Sequence, residues 1–222
     1  MKPIVIVGSR GRMAQELQKI LNDQTLAFSI YSPNSKESVQ DFQSSSGVID
    51  FSKPEATPEV IRLARAAKVP LICGTTGWKS EEEKRALFEE AAAEIPIVLD
   101  SNFSLGIELL CRSCQILAKN LEGPFIITDI HHRHKKDAPS GTALKIAKRM
   151  KDQKPGLEIQ FKDMRIGEIP GEHRVMVAWK NESIEFIHRA SSRSAFAEGA
   201  VKALNWASKQ KPGLYEMKDM TT

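Results

Sequence analysis

Cysteine is scarce in this sequence, with three in 222 residues. An odd and low count does not make a disulfide framework, so an oxidising compartment is not expected. Aromatic residues are also few, at 6%. With no long basic stripe beside them, neither a stacking platform nor an electrostatic track for nucleic acid is present. Long apolar runs are missing as well. Ile4 to Val7 and Ile95 to Leu99 fall far short of the roughly 20 residues that span a bilayer. The start, Met1-Lys2-Pro3, leads into a run too short for a secretory core, with no small-residue cleavage site after it. A cytoplasmic location is the expectation. Neither sign of charge dominates: 32 basic residues face 28 acidic ones, a net +4. What is there is ordinary globular material, 41% hydrophobic and 27% charged. That suffices for a core without structural metals, and excludes disorder of the whole chain. The length suits one large domain or two small ones.

The first hundred residues alternate strand and helix. Apolar runs at 3–7, 26–30, 48–51, 69–73 and 95–99 read as strands. Helical spacing appears between them, at 13–21, from about 57 to 67 and from 80 to about 93. Thr57 is the expected N-cap of the second of these, with Pro58 at its first position; Ser80 with Glu83 forms a capping box for the third. This alternation predicts an α/β fold with a parallel sheet. After Asn102 the pattern changes to a helix at 105–117, a strand at 125–130, a helix from Ser140 to about 150, and strands near 158–161, 173–178 and 183–188. That predicts a second, α+β domain with an open mixed sheet. A last helix runs from about 195 to 208. Cys111 and Cys114 form a C-x-x-C within the 105–117 helix and read as small core residues rather than a redox or zinc pair.

Gly8-Ser9-Arg10-Gly11-Arg12-Met13-Ala14 follows the first strand and opens a helix. Gly8 permits a tight turn, Gly11 a close approach of backbone to a ligand, and Ala14 close packing of helix on strand. The helix N-terminus then faces a pyrophosphate. No acid stands after the second strand, where the sequence reads Ile30-Tyr31-Ser32-Pro33-Asn34-Ser35-Lys36. Nothing there repels a 2′-phosphate, and Arg12, Ser32 and Lys36 could receive one, so NADPH and NADH both remain open. Gly74-Thr75-Thr76-Gly77 and Asp100-Ser101-Asn102-Phe103 fall at the carboxyl edge of the sheet, where such folds bind ligands.

Residues 129–143, DIHHRHKKDAPSGTA, carry the densest chemistry. His131, His132 and His134 stand with Lys135 and Lys136 at the end of a strand. Ser140, Gly141 and Thr142 then offer backbone N–H groups at a helix start. Cations facing a helix N-terminus make a carboxylate site, and a neighbouring histidine can act as general acid. A solvated charged loop is one alternative. A zinc site is another, disfavoured because no carboxylate or thiol has ligand spacing with the histidines. No metal is expected.

Taken together, these motifs resemble the 4-hydroxy-tetrahydrodipicolinate (dihydrodipicolinate) reductase family of the diaminopimelate route to lysine. Further matches along the chain are Val48 to Glu55, Asn102-Phe103-Ser104, Gly171-Glu172-His173, His188-Arg189-Ala190-Ser191-Ser192-Arg193 and Pro212-Gly213-Leu214-Tyr215. The resemblance implies reduction of a cyclic imine dicarboxylate with loss of water. NADH or NADPH delivers hydride to ring carbon 4, and carbon 3 is then protonated. It implies His131 as proton donor and acceptor and Lys135 as proton donor, with substrate contacts from His132, Ser140, Gly141, Thr142 and, by a less defined role, Arg193. Cofactor contacts fall to Gly8, Ser9, Arg10, Gly11, Arg12, Met13, Gly74, Thr75, Thr76, Asp100, Ser101, Asn102 and Phe103. It also implies a homotetramer.

The expected domains are 1–103 with 195–222 for the dinucleotide, and 104–194 for substrate and oligomerisation. Ser9, Arg10 and Asp100 depart from the family's usual small residues. Only sixteen residues separate Tyr31 from Val48, a trimmed connection for that family. A reductase of another imine or keto acid, or a nucleotide-sensing module without catalysis, are the rival readings. Neither nucleic acid nor membrane is an expected partner.

Overall fold

The computed structural model describes residues 2–8, 10–32 and 39–221. Met1, Ser9, residues 33–38 and Thr222 lie outside that set, so the expectations for Ser9 and Lys36 fall outside the described residues. The chain divides into two compact units, 1–103 with 196–222, and 104–195.

The first unit is built on a six-stranded sheet of order β10-β5-β4-β3-β1-β2. Its strands are β1 (Ile4–Val7), β2 (Phe28–Tyr31), β3 (Gly47–Asp50), β4 (Leu71–Cys73), β5 (Pro96–Leu99) and β10 (Gly213–Tyr215). Every pairing is parallel. β1, β3 and β4 are buried throughout, as strands covered by helices on both faces must be, which is why they read as continuous apolar runs. The helices are α1 (Arg12–Asp23), α2 (Val39–Gln43), α3 (Thr57–Ala67), α4 (Glu81–Ala92) and, for most of its length, α7 (Ser194–Ala207). β1 has β2 on one side and β3 on the other. The order reverses there, and in open α/β sheets that reversal leaves a crevice for a ligand beyond the strand ends. Gly199 lets α7 lie against the chain after β5, since a Cβ there would collide with the Phe103 carbonyl.

The cap of α4 follows expectation: Ser80 Oγ accepts from Glu83 N–H. The expected cap of α3 is corrected. Ala56 is the N-cap residue and Thr57 the first helical one. Thr57 gives its hydroxyl to Asp50 Oδ2 at 3.0 Å instead. A short 3₁₀ helix, Met217–Thr221, ends the described chain. Among the described residues no helix is long and apolar enough to cross a membrane.

The second unit is a four-stranded mixed sheet of order β7-β6-β8-β9, from β6 (Phe125–His131), β7 (Ile159–Arg165), β8 (Glu172–Trp179) and β9 (Glu182–Arg189). β6 runs parallel to β7 and antiparallel to β8. Two helices, α5 (Leu105–Asn120) and α6 (Gly141–Gln153), share one core with it. That core holds Phe125, Ile127, Val175 and Val177 of the sheet with Ile107, Leu110, Cys114, Ala143, Ile146 and Met150 of the helices. Cys111 and Cys114 are unbridged and buried; burial pushes the Cys114 thiol up to about 12, which leaves it inert.

Candidate active site

At the carboxyl edge of the first sheet, β1 ends on Gly8, whose φ of +92° is open to glycine and strained for other residues. The Gly8 N–H donates to the Tyr31 carbonyl at 3.1 Å, which carries the β1–β2 pairing to the start of the turn. Gly11 is the N-cap of α1, with no side-chain cap and no acid in the first turn. That N-terminus therefore carries its positive end undiminished by the chain's own carboxylates. Arg10 and Arg12 are exposed beside it, Met13 is half-buried, and Ser32 follows β2 half-buried.

Gly74 lies against the flat of Phe51, where a Cβ would enter the ring. Phe51 meets Phe103 edge to face at 5.5 Å. Thr75 is buried, while Thr76 and Ser101 are exposed. Sequence reasoning passed over Asp50, the residue that organises this edge. It is fully buried at the end of β3 and accepts from Ser52 N–H at 2.8 Å and from the Thr57 hydroxyl. Burial raises its carboxyl above the ordinary range, against the hydrogen bonds from Ser52, Thr57 and Thr75. Asp100 spends its carboxylate on the backbone, accepting from Asn102 N–H at 3.1 Å and Met217 N–H at 3.2 Å. It ties the end of β5 to the C-terminal segment.

In the second unit the chemistry gathers where β6 ends. Side chains alternate along a strand, so Phe125, Ile127, Asp129 and His131 share one buried face. The first two are core; the last two meet the N-terminus of α6. Ser140, its N-cap, accepts from Ala143 N–H at 3.2 Å. Ser140 donates its own N–H to Asp129 Oδ2 at 2.7 Å and its hydroxyl to Oδ1 at 2.9 Å. His131 Nδ1 stands 2.8 Å from Oδ1. His173, directly across the ladder from Asp129 on β8, sets Nε2 3.3 Å from Oδ1 and 3.2 Å from Ser140 Oγ. Arg165 of β7 reaches Oδ2 at 3.1 Å, the Asp129 carbonyl at 3.0 Å and the Asp137 carbonyl at 2.6 Å. Burial alone would raise the Asp129 carboxyl, but the bonds from His131, His173 and Ser140 overcome it and hold the group well below the usual range.

Two family models cover this chain, and they meet at the first boundary between the units, while the second model runs on through 196–221 of the first unit. Residues 2–103 match the model of the dihydrodipicolinate reductase N-terminus and residues 106–221 that of its C-terminus. The chain belongs to the dihydrodipicolinate reductase family. It is 33% identical over 219 residues to the 4-hydroxy-tetrahydrodipicolinate reductase of Bdellovibrio bacteriovorus, covering 98% of this chain and 95% of that one. It is 43% identical over 191 residues to the reductase of the same name from Caldanaerobacter subterraneus subsp. tengcongensis, covering 78% and 75%. Its fold is that of dipicolinate-bound dihydrodipicolinate reductase from Paenisporosarcina sp. TG-14, at a TM-score of 0.79 and 19% identity, covering 99% of each chain.

Within this dihydrodipicolinate reductase fold, the expected substrate residues do not form one cluster. His131 and Ser140 join Asp129. Lys135 is turned to Asp137, 2.7 Å from both of its oxygens. His132, just beyond the end of β6, is half-buried. Its own burial, and then the charge of Arg193, keep its imidazole below the ordinary value. Gly141 stands at the start of α6 with nothing within 4 Å of where a Cβ would be, and Thr142 beside it is half-buried.

One premise needs correction. A metal was not expected because no carboxylate had ligand spacing with the histidines, yet Asp129, His131 and His173 each bring a ligand atom within 4.8 Å of the others. Asp129 lies two residues before His131, on the same strand face. Ser140 and the Arg165 guanidinium bond to the carboxylate, and His131 Nδ1 and His173 Nε2 lie 2.8 and 3.3 Å from its Oδ1, so the arrangement is a close polar cluster around a carboxylate that already has donors. Sequence reasoning missed Asp129, Arg165 and His173. The strand period of two would have found the first.

Proposed function

We propose that this chain is an NAD(P)H-dependent 4-hydroxy-tetrahydrodipicolinate reductase acting in lysine biosynthesis by the diaminopimelate route. The observation that carries the reading is the buried Asp129–His131–Ser140 arrangement at the N-terminus of α6, preceded by the cationic loop 132–136. A dicarboxylate substrate needs that combination. Backbone N–H groups of Gly141 and Thr142 and the side chains of His132, Lys135 and Arg193 bind its carboxylates, with the positive end of the helix behind them; Ser140, expected among them, gives both its N–H and its hydroxyl to Asp129 instead.

The residues at the first sheet's edge fit a dinucleotide. Gly8 takes a backbone conformation other residues strain to adopt, Gly11 adds no side chain at the mouth of α1, and the first turn holds no acid to repel a pyrophosphate. Gly8 and Arg10 to Met13 hold the pyrophosphate and adenosine side, with Ser32 near the ribose; Gly74 to Thr76 and Asp100 to Phe103 line the nicotinamide side. The absence of an acid after β2 supports use of NADPH as well as NADH. When bound, the cofactor supplies the hydride to ring carbon 4. His131 delivers the proton to carbon 3, and Lys135 assists as a second donor. A positioned acid of this kind contributes about a hundred- to ten-thousand-fold.

The domain roles follow: 1–103 with 195–222 for the dinucleotide, 104–194 for substrate and assembly. The active form is a homotetramer in the cytoplasm. One face of the second sheet carries exposed Met164 and Ile187, which supports assembly through that sheet. The test is oxidation of NADPH or NADH on adding the condensation product of aspartate semialdehyde and pyruvate. Steady loss of absorbance with either cofactor is expected; none with both removes the proposal.

A further inference from the structure

One motif remains without a task, Gly171-Glu172-His173, and its glycine and its histidine both lie against His131. An added Cβ at Gly171 would stand 3.0 Å from His131 Nε2, 3.4 Å from Cδ2 and 3.8 Å from Cε1. The outer edge of the imidazole thus runs along a residue with no side chain, while its inner nitrogen, Nδ1, is buried 2.8 Å from Asp129 Oδ1 with no aligned hydrogen bond to any other group. Oδ1 also receives the Ser140 hydroxyl at 2.9 Å and faces His173 Nε2 at 3.3 Å. Oδ2 is taken by two groups that can only donate, the Ser140 N–H and the Arg165 guanidinium. The carboxylate is locked in place from both ends, and its rotation is not free.

We propose that Asp129 is a positioning residue that fixes His131 as the Nδ1–H tautomer and turns Nε2 out past Gly171 as the atom that exchanges the substrate proton. His173 and Ser140 hold the carboxylate in register for this, and Gly171 keeps the outer edge clear. The inference rests on the role given to His131 above. The logic is that of any imidazole whose second nitrogen is held by a buried carboxylate: the tautomer is set by the bond the inner nitrogen makes. The charged groups facing Asp129 are His131 on its own strand, His173 on β8, and Asp163 and Arg165 on β7; Asp163 stands directly across the ladder from Asp129 and 3.9 Å from the Arg165 guanidinium.

Asp129→Asn makes a sharp test because of the donors at Oδ2. The amide oxygen must sit there to accept from Ser140 N–H and Arg165, which sends the NH₂ to the Oδ1 side. It then donates to His131 Nδ1, which can only accept, and the ring proton moves to Nε2. The experiment labels the protein with ¹⁵N-histidine and reads the neutral His131 ring by long-range ¹H–¹⁵N correlation, assigned by its loss in His131→Gln. The wild type is expected to show a protonated Nδ1 and a bare Nε2, Asp129→Asn the reverse, and Asp129→Glu the wild-type pattern. In the reductase assay, kcat of Asp129→Asn falls on the order of 10²- to 10⁴-fold with KM within about threefold, and Asp129→Glu recovers part of it. Gly171→Ala keeps the tautomer but lowers kcat/KM, since its methyl crowds Nε2. A wild-type ring protonated on Nε2, or an unchanged ring in Asp129→Asn, overturns the proposal. A wild type that oxidises no NAD(P)H overturns the reaction assigned above, and the tautomer then decides the positioning role by itself.

Discussion

Lys135 places its ammonium between the two oxygens of Asp137, two residues on in the same loop. Burial raises the Asp137 carboxyl, but that bond outweighs it and holds the group below its usual range. The lysine is thus held to its own loop, not left to sample solvent. A substrate carboxylate arriving there shares or displaces Asp137. Lys135→Ala is expected to weaken inhibition by pyridine-2,6-dicarboxylate by about ten- to a hundredfold, the worth of one charge-assisted hydrogen bond. Turnover drops as well. Unchanged inhibition constants would remove Lys135 from the carboxylate site. At this scale the sequence was legible where chemistry is local. His131, Lys135 and Ser140 lie within ten residues of one another. Arg165 and His173 come from other strands, and only the ladder register brings them to Asp129; nothing in their own neighbourhoods marks them. Asp129 itself was readable by its two-residue offset from His131.

The strand-turn-helix formed by β1, Gly8 and α1 separates two uses of glycine that the motif presents alike. Gly8 sits at φ +92°, so Gly8→Ala strains the turn by about 1–3 kcal/mol. Gly11 has an ordinary extended conformation, and an added Cβ would meet only the Gly8 carbonyl at 4.0 Å. Gly11→Ala is therefore expected to leave the melting temperature unchanged while weakening NADPH binding, because the methyl stands where the pyrophosphate approaches. Gly8→Ala lowers both. Calorimetry and fluorescence titration on the two variants check this, and equal NADPH affinity for Gly11→Ala and wild type would contradict it.

Elements with strong local signals were the legible ones. Ser80 and Ser140 both cap as their spacing indicates, and the buried parallel strands show as apolar runs. Thr57 was misread because its hydroxyl had a better partner in buried Asp50, a contact between a strand end and a helix start. β10 and α2 escaped notice for a different reason. Three residues, Gly213 to Tyr215, and five, Val39 to Gln43, are too few to show a period. β10 exists because β5 offers it an edge to pair with.

For the molecule as a whole, the carboxyls shifted from their ordinary values are divided unevenly between the units, and that sets how each responds to acid. In residues 104–195, Asp129, Asp137 and Glu172 are all held below their ordinary values. Glu172 is so held by Arg174 and Arg189 against its own burial. Asp163, raised by burial, works the other way. In the first unit the buried carboxyl is Asp50, and it is raised; Glu59, held low by Arg62, is a surface pair of little weight. A carboxyl held low in the folded chain stabilises fully above its unfolded value, near pH 4, and that stabilisation is lost as pH falls toward the folded value. For a raised carboxyl the sign reverses: the folded state takes up its proton first, so falling pH favours folding until the unfolded value is passed. Acid should therefore weaken residues 104–195 while sparing residues 2–103. Pulsed hydrogen exchange read by mass spectrometry, after brief incubation from pH 7 to pH 3, is expected to show peptides from 104–195 losing protection at the higher pH. Asp50→Asn should flatten the response of the first unit, since an amide has no proton to take up. If residues 2–103 open first, the balance of charge assigned to the two units is wrong.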